Sequence, residues 1–597
     1  MRINIKARCA ALCLAAALPA VCGAAPARRP SVVLVIYDTV RADRTSPYGY
    51  AASATPALGK FAAGAVVFEK AYANSNWTGS SFATILTGRR LFSHGLAGFL
   101  DSPAADIPSM PALLSAGGYE TAAFFSGLPG EAGYSFGRGF GRFAAVSSTC
   151  PFSYQVAAAL EWKKSLPPEK DFFLAVHGLD VHSPRNCAGG DVEKGPGMPP
   201  MDAAFLDYFN DSPGRDLARL DPQSWKQVLA YKRDPAFLAR LSRDYDRCVS
   251  QLDRGLGSLL RALEEEKDRP LLIIVTSDHG QLLGEHGRLG HVSTVYEQLV
   301  RVPLLVRFPG GAGRREAAVA EHADLLPTVC AAAGIPCPDG LDGQNLAAPG
   351  GKNWKTAGWV TASASGPPGS VRQVRHAAFY DGTKKLARHG PRWELFDLAA
   401  DPGETADLAE ARPADFLRLA SGYLAISGAE KITAGTVYAE GAENCSRPDL
   451  RPEAAPPASP CGRAAAAASR LAGNLDFEGA AAELKSSGCP EPELLRYREA
   501  LRLLRAALLA RGVRPYEGYT FSAAPGLWKT AKDGYSAAFG PAGGLRCEVD
   551  GRPSSAPGCV PPAAALLDCL EKYRFDGAAA PEKSGLEQAL KKAGYIQ

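Results

Sequence analysis

The sequence predicts an α/β protein whose central sheet is large and mostly parallel. Five short runs rich in Val, Ile, Leu and Phe lack any alternation of apolar and polar residues. Such runs are typical of strands buried on both faces, as in parallel sheets covered by helices. The runs lie at 31–38, 121–125, 171–176, 271–278 and 302–308.

Helical stretches separate these runs, including MPALLSAGG at 110–118 and RDYDRCVSQLDRGLGSLLRALEEE at 243–266. The alternation of strand and helix favours layers of helices on both faces of the sheet. Two of the strand runs end in an aspartate, at Asp38 and Asp278. Because ligands of open α/β sheets bind outside the carboxyl ends of the strands, these two residues are candidates for chemistry.

The pattern changes near residue 400. The segment 380–408 predicts a small antiparallel subdomain, and an Ala/Pro-rich stretch at 451–469 reads as a linker. Beyond it, 491–512 predicts an amphipathic helix, with Pro near its start and Gly at its end. After residue 512, glycines and prolines at predicted turns separate short apolar segments, which predicts short strands in a C-terminal extension.

The first residues carry the pattern of a secretory signal peptide, which we assign to 1–25. Arg2, Lys6 and Arg8 precede a short apolar run and a stretch of small residues. No later stretch reaches the roughly 18 apolar residues that a transmembrane helix requires, so we expect a soluble secreted or periplasmic protein. A lipoprotein anchor at Cys22 is the weaker alternative.

Composition and charge set broad limits on the partners. The chain has 597 residues, 46% of them hydrophobic and 21% charged, with a formal net charge of +4. This length allows two to four domains, and nothing in the charge balance demands a nucleic acid or a membrane surface. We therefore expect no nucleic acid partner, and the oligomeric state is left open.

The cysteines favour an oxidising compartment. Of 14 cysteines, 11 remain after removal of the signal segment, and six of these fall after residue 440. Clustering of this kind predicts disulfides in a small extension, and the odd total leaves a free thiol or an intermolecular bond. Cys330 and Cys337 are near enough in sequence for a local bridge.

Two groups of residues carry candidate chemistry. Asp38, Asp278 and His279 offer the hard oxygens and one imidazole that suit a divalent cation, although an aspartate after a strand also serves as a turn former or helix cap. The segment NWTGSSFATILTG at 76–88 predicts a capped helix start, where unpaired N–H groups and the positive end of the helix dipole favour an anion. An ordinary loop-to-helix junction with a capping hydroxyl is the alternative.

Together these segments resemble the sulfatase branch of the alkaline phosphatase superfamily, from about residue 30 to residue 410. The motifs that carry the resemblance include VVLVIYDTVRADRTSPYGY, NWTGSSFATILTG, AGGYETAAFF, VHGLDVHSP, VTSDHGQLLGEHGRLGH and ELFDLAADPGETADL. The resemblance implies a large central sheet flanked by helices, a smaller C-terminal subdomain, and one divalent metal, Ca, Mg, Mn or Zn, at the strand ends.

The resemblance also implies roles for individual residues. Asp38, Asp278 and His279 match the metal ligands, and Thr78 matches both a ligand and the nucleophile. His182 and His291 match positions that contact the ester or protonate the leaving group, and Trp77 lines the substrate site or packs beneath it. His94 and His286 also match motif positions, where packing is an equally good interpretation. Asp180 is a turn residue or, with His182, part of a second metal site.

Several departures from the family pattern bear on the substrate. Sulfatases carry Cys or Ser, matured to formylglycine, where this chain has Thr78, and an arginine where it has Phe82. The acid that the family pairs with Asp38 is absent, and a Lys-x-His segment is replaced by Phe125, Ser126 and Gly127. Threonine cannot become formylglycine, so its covalent ester has to be hydrolysed by attack of water on the central atom. That chemistry favours phosphodiesters or phosphonates over sulfate esters.

The resulting hypothesis is an exported, metal-dependent ester hydrolase that cleaves a small-molecule, glycan-derived or lipid-derived sulfate or phosphate ester through a covalent Thr78 intermediate. A phospho-headgroup transferase and a non-catalytic binding protein with a degenerate site are the alternatives. We expect a signal peptide at 1–25, a catalytic domain at 30–350, a subdomain at 351–412, and a Cys-containing extension of unknown role at 440–597.

Overall fold

The fold is described from a computed structural model of the chain. The residues described are 28–51, 55–96, 106–127, 136–146, 150–182, 187, 234–266, 269–291, 294–348, 357–365, 373–389, 392–427, 520–524, 527–532, 535–540, 544–549 and 552–573. The expected signal segment, the linker at 451–469 and the helix expected at 491–512 lie outside these residues.

The described residues form a central eight-stranded sheet that is mostly parallel, as the sequence predicts. Its spatial order is β10-β2-β9-β6-β1-β5-β3-β4, and β9 alone in this sheet runs antiparallel to its two neighbours. The strands are β1 (Ser31–Tyr37), β2 (Val66–Tyr72), β3 (Glu120–Ser126), β4 (Arg142–Val146), β5 (Phe172–Gly178), β6 (Leu271–Ser277), β9 (Leu304–Arg307) and β10 (Arg314–Glu321). The short strands β7 (Leu282–Leu283) and β8 (Leu289–Gly290) pair with each other.

Strand β1 shows why the apolar runs do not alternate. Val33 and Val35 face one hydrophobic core, while Val32, Leu34 and Ile36 face another. All seven residues of β1 are buried, so both faces of the sheet are covered. Complete burial of each Val, Leu or Ile side chain contributes about 1.5–3 kcal/mol, and this strand is therefore fixed at the centre of the sheet.

Helices form the covering layers, and the longest of them begins earlier than its apolar pattern indicates. The helix Pro235–Glu264 has Asp234 at its N-cap, where the carboxylate accepts a hydrogen bond of 2.9 Å from the backbone N of Ala236, and proline occupies the first turn. The main helices are α1 (Pro56–Ala63), α2 (Thr78–Thr87), α3 (Leu91–His94), α4 (Met110–Ala116), α5 (Phe152–Lys164), α6 (Pro235–Glu264), α7 (Glu297–Val300), α8 (Leu325–Ala333), α9 (Pro413–Ser427) and α10 (Val560–Tyr573).

Two small antiparallel sheets follow the central sheet. The first confirms the predicted antiparallel subdomain, and the second contains the short strands predicted for the extension. The first has the order β11-β12-β13-β14, and the second has the order β15-β16-β17-β18-β19. Side chains of both sheets share one hydrophobic core with α9 and α10. The strands are β11 (Ala357–Ser365), β12 (Gln373–Asp381), β13 (Lys384–His389), β14 (Arg392–Asp397), β15 (Thr520–Ala524), β16 (Leu527–Lys532), β17 (Tyr535–Gly540), β18 (Gly544–Val549) and β19 (Arg552–Pro553).

Disulfides occur in two parts of the described chain. Cys547 and Cys559 are bridged within the C-terminal extension, in agreement with the clustering of cysteines there. A second bridge, Cys187–Cys248, ties the segment after β5 to α6 and was not anticipated.

The prediction of a local disulfide between Cys330 and Cys337 is wrong, because both residues are free thiols. Cys330 is buried in α8, while Cys337 is exposed on the segment that follows the helix. Among the described residues, no helix is both long and apolar enough to cross a membrane.

Candidate active site

The two aspartates that end the predicted strands are brought together by the register of the sheet. β1 and β6 are parallel neighbours in which Tyr37 is opposite Ser277, so Asp38 and Asp278 follow adjacent positions at the same edge. The backbone N of Asp278 donates a 2.9 Å hydrogen bond to the carbonyl of Tyr37. Both aspartates are fully buried.

Thr78 is the first residue of α2, which approaches the same edge of the sheet. The N-cap is Trp77, whose side chain makes no capping hydrogen bond, so the prediction of a capped helix start is wrong. The first turn is left with unpaired N–H groups and the positive end of the helix dipole. The indole of Trp77 is buried and packs over Gly79, where a Cβ atom would lie only 2.4 Å from the ring. This burial shows that Trp77 packs against the first turn of α2, and its role in lining the substrate site stays a prediction.

The hydroxyl of Thr78 meets the strand-end residues directly. Its Oγ1 lies 3.3 Å from Nε2 of His279, and the hydroxyl is close enough to the Asp278 carboxylate to lower the pKa of that group, against the larger effect of burial. Thr78 itself is 5% exposed, so the hydroxyl sits at a buried end of the helix. The four residues Asp38, Thr78, Asp278 and His279 therefore surround one small volume.

The tautomer of His279 follows from its neighbours. Nδ1 lies 2.9 Å from the carbonyl of Gly280, which can only accept a hydrogen bond, so Nδ1 carries the proton. Burial lowers the pKa of His279 to about 4, and the ring is therefore neutral near pH 7. The lone pair of Nε2 faces Thr78 and Asp278, which is the orientation of a metal-ligating histidine.

The residues present fit a divalent cation. Donor atoms of Asp38, Asp278 and His279 all lie within 4.8 Å of one another. Oδ1 of Asp278 accepts hydrogen bonds from the backbone N of Thr39 and of His279, at 3.1 and 2.7 Å. Oδ2 of Asp278 and both oxygens of Asp38 are buried and make no hydrogen bond within the described residues. Buried carboxylate oxygens in this state are costly unless a cation or a bound proton compensates them, so these residues could hold a divalent ion.

The electrostatics of the two carboxylates are coupled. Burial and the nearby charge of Asp38 raise the pKa of Asp278 well above its usual value. Burial alone would raise the pKa of Asp38 as well, but neighbouring imidazoles lower it below its usual range. These imidazoles belong to His182, His177 and His279. Two adjacent buried carboxylates do not both ionise readily unless positive charge is added.

The two histidines proposed for proton transfer lie beside this cluster. The ring of His291 is centred 4.6 Å from that of His279 and 5.0 Å from that of His182. Nδ1 of His291 lies 3.2 Å from Oε1 of Gln281. Burial, followed by the nearby His279 and His182, lowers the pKa of His291 well below its usual value. A neutral His291 is able to accept a proton.

Two other histidines singled out in the sequence, His94 and His286, make packing and hydrogen-bond contacts. His94 is buried, with Nε2 3.2 Å from the Thr84 hydroxyl and Nδ1 accepting from the backbone N of Leu96. His286 stacks on the ring of Tyr296 with centroids 3.5 Å apart.

Asp180 accepts hydrogen bonds from the backbone N of Phe152, at 2.9 Å, and from the Gln251 amide, at 2.6 Å. Both of its oxygens are therefore engaged, which favours the turn role over a second metal site. Asn76, the asparagine of a glycosylation motif, is fully buried and donates to the carbonyl of Thr294.

Sequence reasoning missed His177, which lies on β5 beside Asp38. Its Nε2 is 3.3 Å from Oδ2 of Asp38, and the ring is fully buried. The rings of Phe82 and Phe125 contact each other edge to face at 5.2 Å, and each presents an edge-to-face contact to His177. His177 directly follows the apolar run FFLAV and reads as one more strand residue. The available signal is that it is the first of the two histidines in VHGLDVH.

Comparisons with known proteins agree with this geometry. Residues 30–335, just over half of the chain, match the family model described as Sulfatase. Residues 284–418 match a model described as N-sulphoglucosamine sulphohydrolase, C-terminal.

Among curated relatives, the uncharacterized sulfatase YidJ of Escherichia coli is 36% identical over 104 residues, which are 17% of this chain and 21% of the relative. An N-acetylglucosamine-6-O-sulfatase of Bacteroides thetaiotaomicron is 26% identical over 464 residues, covering 63% of this chain and 82% of the relative.

The fold is also similar to that of a phosphonate monoester hydrolase of Agrobacterium radiobacter, with a TM-score of 0.53 and 20% identity. That likeness covers 67% of this chain and 96% of the other. The chain therefore belongs to the sulfatase family of ester hydrolases.

Proposed function

We propose that this protein is an exported, metal-dependent ester hydrolase in which Thr78 replaces the formylglycine of typical sulfatases and acts as the nucleophile. The observation that carries the proposal is the position of the Thr78 hydroxyl, 3.3 Å from Nε2 of His279 at the start of α2. A hydroxyl at a helix N-terminus, next to residues that would hold a cation, is suited to become an alkoxide.

Asp38, Asp278, His279 and Thr78 would hold one divalent cation. When bound, the cation supplies positive charge that stabilises a deprotonated hydroxyl and the negative oxygens of the ester. The mixture of carboxylate, hydroxyl and imidazole suits Ca²⁺, Mg²⁺, Mn²⁺ or Zn²⁺.

The reaction proceeds in two steps through the side chains of this chain. Oγ1 of Thr78 attacks the phosphorus or sulfur atom as its proton passes to one of the two nearby histidines, His182 or His291, whose rings lie beside the cluster. The bond to the departing alcohol oxygen breaks as the histidine that accepted the proton returns it to that oxygen. Water then attacks the same central atom and loses its proton to one of these histidines, and the bond to Oγ1 breaks as that proton is passed to Thr78 and restores its hydroxyl.

The surroundings of the cluster favour a substrate that carries a single negative charge. Phe82 and Phe125 occupy positions where the family pattern has arginine and lysine, and their rings are packed against each other. A phosphate monoester carries close to two charges at neutral pH, whereas a phosphodiester or a phosphonate monoester carries one. The loss of two cations therefore disfavours the phosphate monoester.

A sulfate ester is the second candidate, because it also carries one charge and because the chain belongs to the sulfatase family. The relative from Bacteroides thetaiotaomicron is named for sulfate hydrolysis. Thr78 argues for the phosphoryl substrates, since a threonine ester has no aldehyde to form and must be resolved by water at the central atom.

The chain organisation and compartment belong to the same proposal. We assign 1–25 as a signal peptide, 30–350 as the catalytic domain, 351–412 as its C-terminal subdomain, and 440–597 as an extension. The two disulfides support an oxidising compartment, since such bonds are rare in reducing cytosol. The extension packs on α9 and the first small sheet, which supports a capping role for it.

Hydrolysis of four chromogenic substrates tests the assignment. The panel is an aryl sulfate, an aryl phosphate monoester, an aryl phosphodiester and an aryl phosphonate monoester, each assayed with Mn²⁺, Ca²⁺, Mg²⁺ or Zn²⁺. We expect the highest kcat/KM for the phosphodiester or the phosphonate. Preference for the phosphate monoester would contradict the charge argument, and inactivity on all four would favour the non-catalytic alternative.

Thr78→Ala tests the nucleophile, with Thr87→Ala as the matched control. Thr87 is a buried threonine at the other end of α2 whose hydroxyl donates to the carbonyl of Ala83. We expect Thr78→Ala to abolish turnover and Thr87→Ala to retain it. Mass spectrometry of quenched wild-type protein should detect a phosphorylated Thr78 peptide. Full activity in Thr78→Ala would exclude the covalent mechanism.

A further inference from the structure

His177 occupies a buried position next to one of the two carboxylates of the site. β5 pairs with β1 so that His177 is opposite Ile36, two residues before Asp38. Nδ1 of His177 lies 3.0 Å from the carbonyl of Ser126, and Nε2 lies 3.3 Å from Oδ2 of Asp38. The ring therefore lies between the end of β3 and the Asp38 carboxylate, with one nitrogen directed at each.

The two carboxylates of the site are held in different ways. Oδ1 of Asp278 accepts hydrogen bonds from two backbone N–H groups, which leaves Oδ2 available. No backbone N–H of the described residues donates to either oxygen of Asp38. The side chain of Asp38 is instead approached at Oδ2 by the His177 ring, at 3.3 Å, which leaves Oδ1 facing the site.

The ring of His177 is itself held by packing. Phe82 and Phe125 contact it edge to face, with centroid distances of 5.0 and 6.3 Å. These two aromatic residues stand where the family pattern has cations, and the acid that the family pairs with Asp38 is also absent. Support for Asp38 therefore comes from β5 in this chain.

We propose that His177 is a positioning residue that orients Asp38 for binding of the divalent cation. His177 is outside the group of donor atoms that lie mutually within 4.8 Å, which consists of Asp38, Asp278 and His279 in the described residues, so it acts through Asp38. Partners of metal-ligating groups typically change metal affinity 10–100-fold when removed. This inference rests on the proposed metal dependence of the site.

Two substitutions separate the contacts of the ring. In His177→Asn the amide nitrogen lies near the former Nδ1 and retains the contact with the Ser126 carbonyl, but nothing reaches Asp38. In His177→Gln the longer side chain places its amide nitrogen near the former Nε2 and retains the contact with Asp38. The two variants have similar polarity, so a merely structural role predicts similar behaviour.

The measurement is the affinity of the metal-free full chain for Mn²⁺ and, in parallel, for Ca²⁺, by isothermal titration calorimetry. We expect His177→Asn to bind about 10–100-fold more weakly than wild type and His177→Gln to remain close to wild type. His94→Asn, a buried histidine with contacts away from the site, is the control and should bind normally.

The outcomes are separable. Equal affinities in His177→Asn and His177→Gln, whether both normal or both weakened, would overturn the positioning role. If the wild-type chain binds neither ion, the proposed metal dependence fails instead. Thermal unfolding of each metal-free variant shows whether it is folded before the titration.

Discussion

Two buried clusters in this protein each contain two carboxylates, and they differ in where the positive charge comes from. The strand-end cluster consists of Asp38, Asp278 and His279, and its donor atoms face one another within 4.8 Å. The lysine cluster consists of Lys385, Glu297 and Glu404. Nζ of Lys385 lies 3.0 Å from Glu297 and 2.7 Å from Glu404.

The lysine cluster supplies its own cation. Lys385, on β13, is fully buried and also donates to the carbonyl of Val295 at 2.7 Å. Its three contacts match the three donors of an ammonium group. Glu297 belongs to α7, so the cluster fastens the first small sheet to the region beside the site.

Among the described residues, no lysine or arginine is ion-paired with Asp38 or Asp278. Two buried arginines are paired elsewhere, Arg41 with Asp43 and Glu285, and Arg90 with Glu321. Buried carboxylates without compensating charge are costly. The comparison teaches that a buried carboxylate pair is structural where the chain provides the cation and a candidate metal site where it does not.

The largest effect is expected from Asp278→Asn, with Glu404→Gln as the control from the lysine cluster. Losing a charged metal ligand should lower kcat/KM for the best substrate about 10⁴-fold, equivalent to about 5 kcal/mol. Glu404→Gln should retain most of the activity because Glu404 contacts Lys385 and the backbone N of Glu297, not the strand-end cluster. Steady-state kinetics with excess Mn²⁺ measures kcat/KM of both variants. Equal decreases in kcat/KM would contradict the assignment of one cluster to metal binding and the other to stability.

Lys385→Met should destabilise the fold, with Lys384→Met as its neighbour control. Removing the ammonium leaves buried carboxylates uncompensated, at a cost of about 3–5 kcal/mol in the free energy of unfolding. Lys384 is ion-paired with Asp397 near the surface, where such pairs contribute about 0–1 kcal/mol. Urea unfolding monitored by circular dichroism distinguishes the two. If both variants lose a similar amount of unfolding free energy, the buried ion pairs of Lys385 stabilise the fold no more than the surface pair of Lys384 does.

The smallest effect concerns the pH dependence of metal binding. Burial and Asp38 raise the pKa of Asp278 in the metal-free chain, so this group retains a proton above its usual range and the cation must displace it. Affinity should therefore rise with pH, by up to about tenfold per pH unit, until the metal-free carboxyl is ionised. Calorimetric titrations between pH 5.5 and 8 measure the slope. An affinity independent of pH across this window would contradict a coupled carboxylate pair.

Much of the fold could be predicted from the sequence, because strands that are buried on both faces consist of consecutive apolar residues. The strands that were missed carry charges or lie at the sheet edges. β2 contains Glu69 and Lys70, β4 is a terminal strand, and the first half of the edge strand β10 is largely exposed. Polar residues in these segments hide the strand signal.

The candidate site was accessible in part for a similar reason. Asp38 and Asp278 follow recognisable strands, and sheet register then brings them together. His177 and the lysine cluster were not accessible, because their partners are distant in sequence and depend on tertiary packing. Lys385 is 88 residues from Glu297, and His177 is 51 residues from Ser126.

The metal content of the purified protein tests the central claim most directly. After exposure to a mixture of Ca²⁺, Mg²⁺, Mn²⁺ and Zn²⁺ and removal of free ions, inductively coupled plasma mass spectrometry should find one divalent ion per wild-type chain. The same measurement should find none in the double variant Asp38→Asn, Asp278→Asn, and a wild-type value in Glu404→Gln. A wild-type chain that retains no ion, or a double variant that retains as much as wild type, would contradict the account.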